Sequence, residues 1–448
     1  MNRSVRLCLS VLIAPLICAF VVPRVVWSDE PTETKQKSER TLEPTLNAET
    51  KVSGRVCVRL RRPDASMPLS SDFSVAKEQV DAQADASEKP SIAQDSGYPY
   101  VGREIADYRA LGGDGRYLFE DEFGELRSFD ADDVLSIEPA PEVALGDVRK
   151  AIAKKLLEEF GDEFNVKSTE RYLFVYDTSE GYVDWCARLF ESLEDGFRRF
   201  AVKNELNLKE RVEPMIVVVF ATKNEFVHYA SQETAGADKI AAYYNMQTNR
   251  VALYDLSETE GTRYALSKRR RESLETREFL SRPNAAFNVA TIVHEATHQI
   301  AFNRGLFLRF GPVALWSVEG LSLLFETPNG KASQGGWGYR SSFPTNERQL
   351  ALFKNFAKTT QQRDPIRDLI RQDSFMNDVQ GSYSTSWALF YYLYKKQPKE
   401  LAKYLNELAS KPPCVVYAPE ERIADFEKYF GDDWDKLTQS LLRFVRRL

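Results

Sequence analysis

The clearest alternation of apolar and polar positions begins near residue 172. Tyr172 to Tyr176 and Met215 to Phe220 are continuous apolar runs of strand length, and between them, from about Tyr182 to Val202, apolar residues return at helical spacing. Strand, helix, strand is the order of an α/β layer. A short helix is expected near Lys223 to Ala230. Ile240 to Tyr244 and Arg250 to Asp255 then flank the polar turn Asn245 to Asn249 as a hairpin, and its second strand reads as an edge able to pair with an extended chain. Leu256 to Arg282, which contains Lys268-Arg269-Arg270-Arg271, reads as a basic solvated loop or a cover for a cleft. In the next stretch, Ala285 to Asn303, Phe287, Ala290, Val293 and Ala301 mark a largely apolar helix, with Asn284 as N-cap and Gly305 as stop. Gly311-Pro312 breaks the chain, and helical character resumes from Ser317 to Glu326. The remainder, to Leu448, reads as helices joined by short loops, apart from the Gly- and Ser-containing stretch Gly330 to Pro344.

Upstream the rhythm is shorter. Arg55 to Leu60 alternates, and Tyr117 to Phe119, Leu126 to Phe129 and Val134 to Glu138 are brief strand-like runs, the first two separated by the turn-prone Glu120 to Gly124. These define a small β domain over residues 53–140 with a mobile insertion at about 63–105, where polar residues dominate. An amphipathic helix, Leu145 to Phe160, opens a second domain spanning 145–448, and the small unit is expected to be separable from it. Residues 29–52 have the polar composition of a disordered linker. Residues 1–28 have the form of a secretory signal, with Arg3 and Arg6 before the apolar Leu7 to Val22. Cleavage after Ser28 or Ala19 releases a secreted or periplasmic chain; an uncleaved membrane anchor is the alternative. No later run approaches the ~20 apolar residues of a membrane span, so none is expected in the mature chain.

Composition narrows the classes. A chain of 448 residues is long enough for two or three structural units. Its net charge of −6, with acids and bases mixed, offers no footprint for nucleic acid. Of five cysteines, Cys8 and Cys18 lie in the signal, leaving Cys57, Cys186 and Cys414, an odd set that forms no disulfide framework.

The chemistry is carried by His294-Glu295-Ala296-Thr297-His298, an H-E-x-x-H motif inside the apolar helix. Residues four apart share a helical face, so His294 and His298 can grip one metal ion, with Glu295 beside them as a general base. Neutral imidazoles suit Zn²⁺, which lowers the pKa of a bound water to roughly 7. The chain has only three histidines, and the remaining one, His228, has no partner at ligand spacing and reads as a surface or packing residue.

The motif, followed by Trp316-x-x-Glu319-Gly320-Leu321 on a second helix, resembles the gluzincin metallopeptidases of the peptidase MA clan. It is most similar to a secreted bacterial branch with a His-Glu-Ala-Thr-His-Gln motif. The resemblance runs over about Tyr172 to Leu448 and is densest from Val289 to Glu326. It implies an α+β fold, with a zincin-like catalytic domain made of a small mixed sheet and a helical lower part. It also implies zinc held by His294, His298 and Glu319, with Glu295 as base and peptide or protein as substrate. Glu326, two turns beyond Glu319 and about 10 Å further along the axis, is the competing carboxylate. Leu323 stands where some gluzincins place a carboxylate that orients a zinc histidine, so the supporting shell must differ here. The aminopeptidase segment Gly-x-Met-Glu-Asn is absent, which favours an endopeptidase. Tyr383, at the start of the helix-like Ser384 to Tyr394, resembles the tyrosines that stabilise an oxyanion in related enzymes, with Tyr391, Tyr392 and Tyr394 on the same segment and packing as the alternative role. The upstream strands resemble small SH3-like barrels. A secreted zinc peptidase is therefore the expected function, with an inactive zincin-like binding or scaffold module as its rival; oligomeric state is left open.

Overall fold

The computed structural model describes residues 51–52, 55–60, 67–68, 98–107, 116–121, 123–234, 236–257, 285–309, 311–329, 337, 339–360, 364–372, 375, 378–413 and 417–448. Residues 1–28, read as a signal, most of residues 29–52, read as a linker, Asn284, Lys268 to Arg271 and Cys414 lie outside them.

The chain is a mixed α+β protein. Its first part is a six-stranded antiparallel sheet in the order β3-β6-β5-β4-β2-β7, formed by β2 (Val56–Leu60), β3 (Met67–Pro68), β4 (Tyr98–Asp107), β5 (Arg116–Asp121), β6 (Leu126–Asp130) and β7 (Val134–Pro139). Val58, Leu60, Tyr117, Phe119 and Phe129 make its small core. Two boundaries differ from expectation. β4 runs through the end of the stretch read as a mobile insertion, and Lys51–Val52 (β1), read as linker, pairs with Val143–Ala144 (β8). In β4 a proline, a glycine and three charged residues blur the alternation. Ladders to β2 on one side and β5 on the other supply what local pattern does not.

After α1 (Leu145–Phe160) comes a five-stranded mixed sheet in the order β12-β13-β11-β10-β9, formed by β9 (Asn165–Ser168), β10 (Tyr172–Tyr176), β11 (Met215–Phe220), β12 (Ala242–Asn245) and β13 (Arg250–Tyr254). β10, β11 and β13 run parallel, and the outer strands pair antiparallel. Apart from Arg250, the parallel strands are apolar because both faces are covered. Phe174, Val217 and Val219 point into the large core with α2 (Glu180–Lys203), while Val175, Ile216 and Val218 point to α1 and α3 (Lys223–Ala230). The period of two thus divides each strand between two helical layers.

The expected edge strand is corrected here: Arg250–Tyr254 lies between β11 and β12, and the edge is Ala242–Asn245. A hairpin sequence does not reveal which of its strands meets a distant third. Arg250 is buried because Glu159 and Glu125 bind its guanidinium at 2.5 and 2.8 Å.

The helical part contains α4 (Ala285–Asn303), α5 (Leu315–Phe325), α6 (Glu347–Thr359), α7 (Pro365–Arg371), α8 (Val379–Lys396), α9 (Pro398–Ser410), α10 (Pro419–Phe430) and α11 (Trp434–Val445). Gly305, at φ +68°, ends α4 as its sequence predicts. Helix α8 starts earlier than the apolar run suggests, because the Asp378 side chain caps it by accepting from Gly381 N–H. Among the described residues no helix is long and apolar enough to cross a membrane.

Candidate metal centre

Helix α4 is buried on several sides, and its polar residues fall on two stripes. His294 and His298 face α5. Glu295, Gln299 and Asn303, each four apart, face the sheet, where the Gln299 amide donates to the carbonyls of Ile216 and Asn249 at 2.9 Å each. Asn303 and Asn249 bond through their side chains at 2.7 to 2.9 Å. Glu295 Oε2 accepts from the backbone N–H of Tyr244, on edge strand β12, at 2.9 Å. Each of the three residues on this stripe therefore ties the helix to the sheet side at a defined rotation.

Helix α5 answers the histidine stripe with a stripe of its own: Glu319, Ser322 and Glu326. Glu319 Oε2 lies 3.2 Å from His294 Nε2, and its Oε1 lies 3.6 Å from His298 Nε2. The outer ring nitrogens are taken separately. His294 Nδ1 meets Glu326 Oε2 at 3.1 Å, and His298 Nδ1 meets the Ser322 hydroxyl at 3.1 Å. Asn346 Nδ2 donates to Glu326 Oε1 at 2.9 Å, holding that carboxylate in turn. With Nδ1 carrying the proton on each ring, both Nε2 lone pairs point toward Glu319.

The three ligand atoms lie within 4.8 Å of one another, the one such group among the described residues. Ligands at about 2.0 to 2.2 Å from a tetrahedral ion are separated by about 3.3 to 3.6 Å, close to the two observed spacings. His298 Nε2 and Glu319 Oε1 are both buried without a hydrogen-bond partner. Two orphaned polar atoms from two of the three prospective ligands, 3.6 Å apart, fit a metal ion better than a hydrogen-bond network. Burial, with His294 alongside, lowers the pKa of His298 and keeps its ring neutral, as a ligand must be. Burial likewise raises the Glu319 carboxyl, while the neighbouring His294 and Tyr383 pull it back. Glu295 is pushed up to about 7 by burial, against the pull of His294 and the Tyr244 N–H.

The residues named from sequence are therefore gathered as follows. His294, His298 and Glu319 form the cluster, and Glu295 sits beside it, held to β12. Tyr383, from α8, hydrogen-bonds Glu319 and packs its ring 6.4 Å from that of His294 and 5.4 Å from Phe375. The other tyrosines of α8 lie elsewhere: Tyr391 stacks on Trp387 and Tyr394 packs on Phe200 and Phe343. His228 is exposed on α3, on the far side of the sheet. Glu326 is brought to the site as the partner of His294 Nδ1 rather than as a ligand. Ser322, Asn346 and the Tyr244 N–H were missed by sequence reasoning. The polar i, i+3, i+7 spacing of Glu319, Ser322 and Glu326 on an otherwise apolar helix is a signal that points to the first of them.

Gly320 sets the distance between α5 and α8. A Cβ there would lie 2.5 Å from Phe390 Cβ and 2.8 Å from Ser386 O, so the two helices touch backbone to backbone beside Glu319. This close contact also brings Tyr383 to the centre.

A search of curated proteins finds no match to the chain. One family model matches residues 288–415, and its family is described as a protein of unknown function, DUF1570; the matched stretch begins just before the histidine motif and takes in Glu319 and Tyr383.

Proposed function

We propose that the chain is a zinc-dependent peptidase, secreted or periplasmic, with a zincin-like catalytic part and an SH3-like unit that docks or spaces it. The observation that carries the reading is the pair of orphaned atoms, His298 Nε2 and Glu319 Oε1, beside a glutamate that the sheet holds off the cluster. Nitrogen and oxygen donors, two imidazoles and one carboxylate, are the donor set of catalytic zinc. Bound there, the ion supplies a Lewis acid that lowers the pKa of a coordinated water to about 7 and polarises the scissile carbonyl.

The remaining work belongs to the chain's own side chains. Glu295, fixed at Oε2 by the Tyr244 N–H, accepts the proton of the attacking water and returns it to the leaving amine. The Tyr383 hydroxyl donates to the oxygen on which charge develops. Glu326 and Ser322 hold the two imidazoles in the ligating tautomer. Edge strand β12 runs beside Glu295, where an extended peptide can add its backbone to the sheet.

The second reading is a non-catalytic zincin-like module, and the burial of the cluster favours it: His294 is 2% exposed and Glu319 0%. Zinc content and cleavage of a mixed peptide library separate the two. Wild type is expected to hold one zinc and to cleave in a chelator-sensitive way. Glu319→Gln should lose zinc and activity together, whereas Glu295→Gln should keep zinc and lose turnover. Zinc without any cleavage in the wild type supports the module, and full zinc in Glu319→Gln refutes the ligand assignment.

A further inference from the structure

The loop of residues 246–249 joins β12 to β13, and its last residue, Asn249, combines an unusual backbone with burial. Its φ is 61°, in the left-handed region that asparagine enters more readily than other residues bearing a side chain. A hairpin loop ordinarily carries its polar residues out to water. Asn249 is only 2% exposed, so its amide must find its partners inside the protein.

Those partners lie on both sides of the general base. Asn249 Oδ1 accepts from the Tyr244 hydroxyl at 2.8 Å and from Asn303 Nδ2 at 2.7 Å, and Asn249 Nδ2 donates to Asn303 Oδ1 at 2.9 Å. The backbone carbonyl of Asn249 accepts from the Gln299 amide at 2.9 Å. Gln299 and Asn303 follow Glu295 by one and two steps of four on α4, while Tyr244 is the residue whose N–H holds Glu295 Oε2 at 2.9 Å. One residue therefore grips both the helix that carries the base and the strand that holds it. The Tyr244 ring, stacked on Phe302 of α4 with centroids 5.9 Å apart, repeats the link by packing. From the other side, a Cβ on Gly124 would come within 3.2 Å of Asn249 Nδ2, so the β5–β6 turn packs directly on this amide.

We propose that Asn249 is a positioning residue for Glu295: its side chain sets the separation of α4 and β12, and with it the place of the carboxylate beside the metal cluster. The inference rests on the peptidase reading of the metal centre and deepens it by adding a residue outside the histidine motif on which turnover depends. The metal ligands do not depend on it in the same way. His294 and His298 lie on the stripe of α4 that faces α5, and Gln299 keeps its bond to the carbonyl of Ile216 when the Asn249 side chain is gone. Strand β12 has less support, since among the described residues it pairs with β13 alone. Loss of the Asn249 amide therefore moves Tyr244, and the base with it, before it moves the ligands.

Two variants of the full chain test this. Asn249→Gly accepts the left-handed backbone and removes only the side chain. Tyr244→Phe removes a single bond to that side chain and keeps the ring on Phe302. Zinc affinity is read by chelator competition, and kcat and KM are measured per zinc-loaded site, well below each melting temperature. The exchange rate of the Tyr244 amide proton is measured on the zinc-loaded proteins, with the amide of Val218 in central strand β11 as reference. Asn249→Gly should keep its zinc affinity and KM and lose about 10- to 100-fold in kcat, the scale of a displacement of about 1 Å. Tyr244→Phe should lose about 3- to 10-fold, the range of one neutral hydrogen bond. Exchange at Tyr244 should quicken relative to Val218 in both, more in Asn249→Gly. A lower melting temperature with kcat and relative exchange unchanged gives Asn249 a merely structural role and overturns the proposal. Equal losses of zinc affinity and kcat overturn it as well, because they place Asn249 behind the ligands rather than the base. If the wild type cleaves no peptide, the peptidase reading falls, and relative exchange at Tyr244 with zinc bound decides alone: faster exchange in Asn249→Gly supports the positioning of Glu295, and unchanged exchange refutes it.

Discussion

Gly320→Ala adds one methyl group at the tightest contact around the site. Its Cβ would lie 2.5 Å from Phe390 Cβ and 2.8 Å from Ser386 O, against about 3.5 to 4.0 Å for relaxed carbon contacts. Neither neighbour can swing aside, since one is a Cβ and the other a backbone carbonyl of α8. Helices α5 and α8 must therefore part by about 1 Å, the difference between these distances. Overpacking of this kind costs about 1 to 3 kcal/mol, while replacing glycine by alanine inside a helix returns about 0.8 to 1 kcal/mol. The net loss is about 0 to 2 kcal/mol, or at most roughly 3 °C of melting temperature for a domain of about 300 residues. Function should suffer more than stability. Glu319 immediately precedes Gly320, and the 3.2 and 3.6 Å spacings to the histidines depend on where α5 lies. Zinc affinity is measured by competition with a chelator of known strength, and stability by a thermal melt with and without zinc. A variant that binds zinc as tightly as the wild type and melts at the same temperature would refute the claim that this contact sets the ligand geometry.

Three further outcomes are expected. Glu326→Gln should weaken zinc binding about 10- to 100-fold, because it weakens the anchor of His294 Nδ1 without removing a ligand; chelator competition reads the change, and unaltered affinity would return Glu326 to a bystander. Tyr383→Phe should keep the metal and lower turnover about 10²-fold, the scale of one oxyanion donor, and an unchanged kcat would leave it a packing residue. Deletion of residues 29–139 should leave an unstable remainder, because Arg211 and Arg309 lose Glu120, and breaking a buried ion pair costs about 3 to 5 kcal/mol; a soluble, cooperatively melting remainder would show that the two units are separable.

Much of the site was legible because helical spacing is fixed by backbone geometry. A spacing of four residues from His294 to His298 in a largely apolar setting defines a two-nitrogen grip without knowledge of the fold. Glu319 needed more, since distance in sequence says nothing about how the chain reverses between two helices, and its identification rested on the resemblance carried by Trp316 and Gly320. The supporting shell was less accessible still. Ser322 and Asn346 are ordinary polar residues whose roles exist only once α4, α5 and α6 are packed, and the Tyr244 N–H is a backbone group with no residue signature. The misplaced sheet edge has the same origin: pairing of β13 with β11 joins residues about 34 positions apart, and no local pattern encodes it. In β4, similarly, the sequence of Tyr98–Asp107 is too mixed to announce a strand, and its two neighbours define it.

The two halves of the site are anchored from different directions. The ligands are set by the helices: α5 touches α8 through Gly320, and Glu326 is tied through Asn346 to the start of α6. The base is set from the sheet, through the Tyr244 N–H of β12. That strand leads into a turn held by Arg309, whose guanidinium donates to the carbonyls of Met246 and Gln247 at 2.7 and 2.9 Å and to Gly124 of the β5–β6 turn at 2.9 Å. Leu126 N–H donates to Gln247 O at 2.9 Å, and Glu120 sits 3.4 Å from Arg309 and 2.5 Å from Arg211. The amino-terminal sheet thus reaches β12, whose Tyr244 N–H holds Glu295, through Arg309 and the turn that follows the strand. Disturbing the docking of that sheet should therefore act on the orientation of the base before it acts on metal binding. That order follows from the contacts described: Arg211, Arg250 and Arg309 bind Glu120, Glu125 and Gly124 of the amino-terminal unit, and the Arg309 path leads through Met246 and Gln247 to β12 and the Tyr244 N–H that holds Glu295.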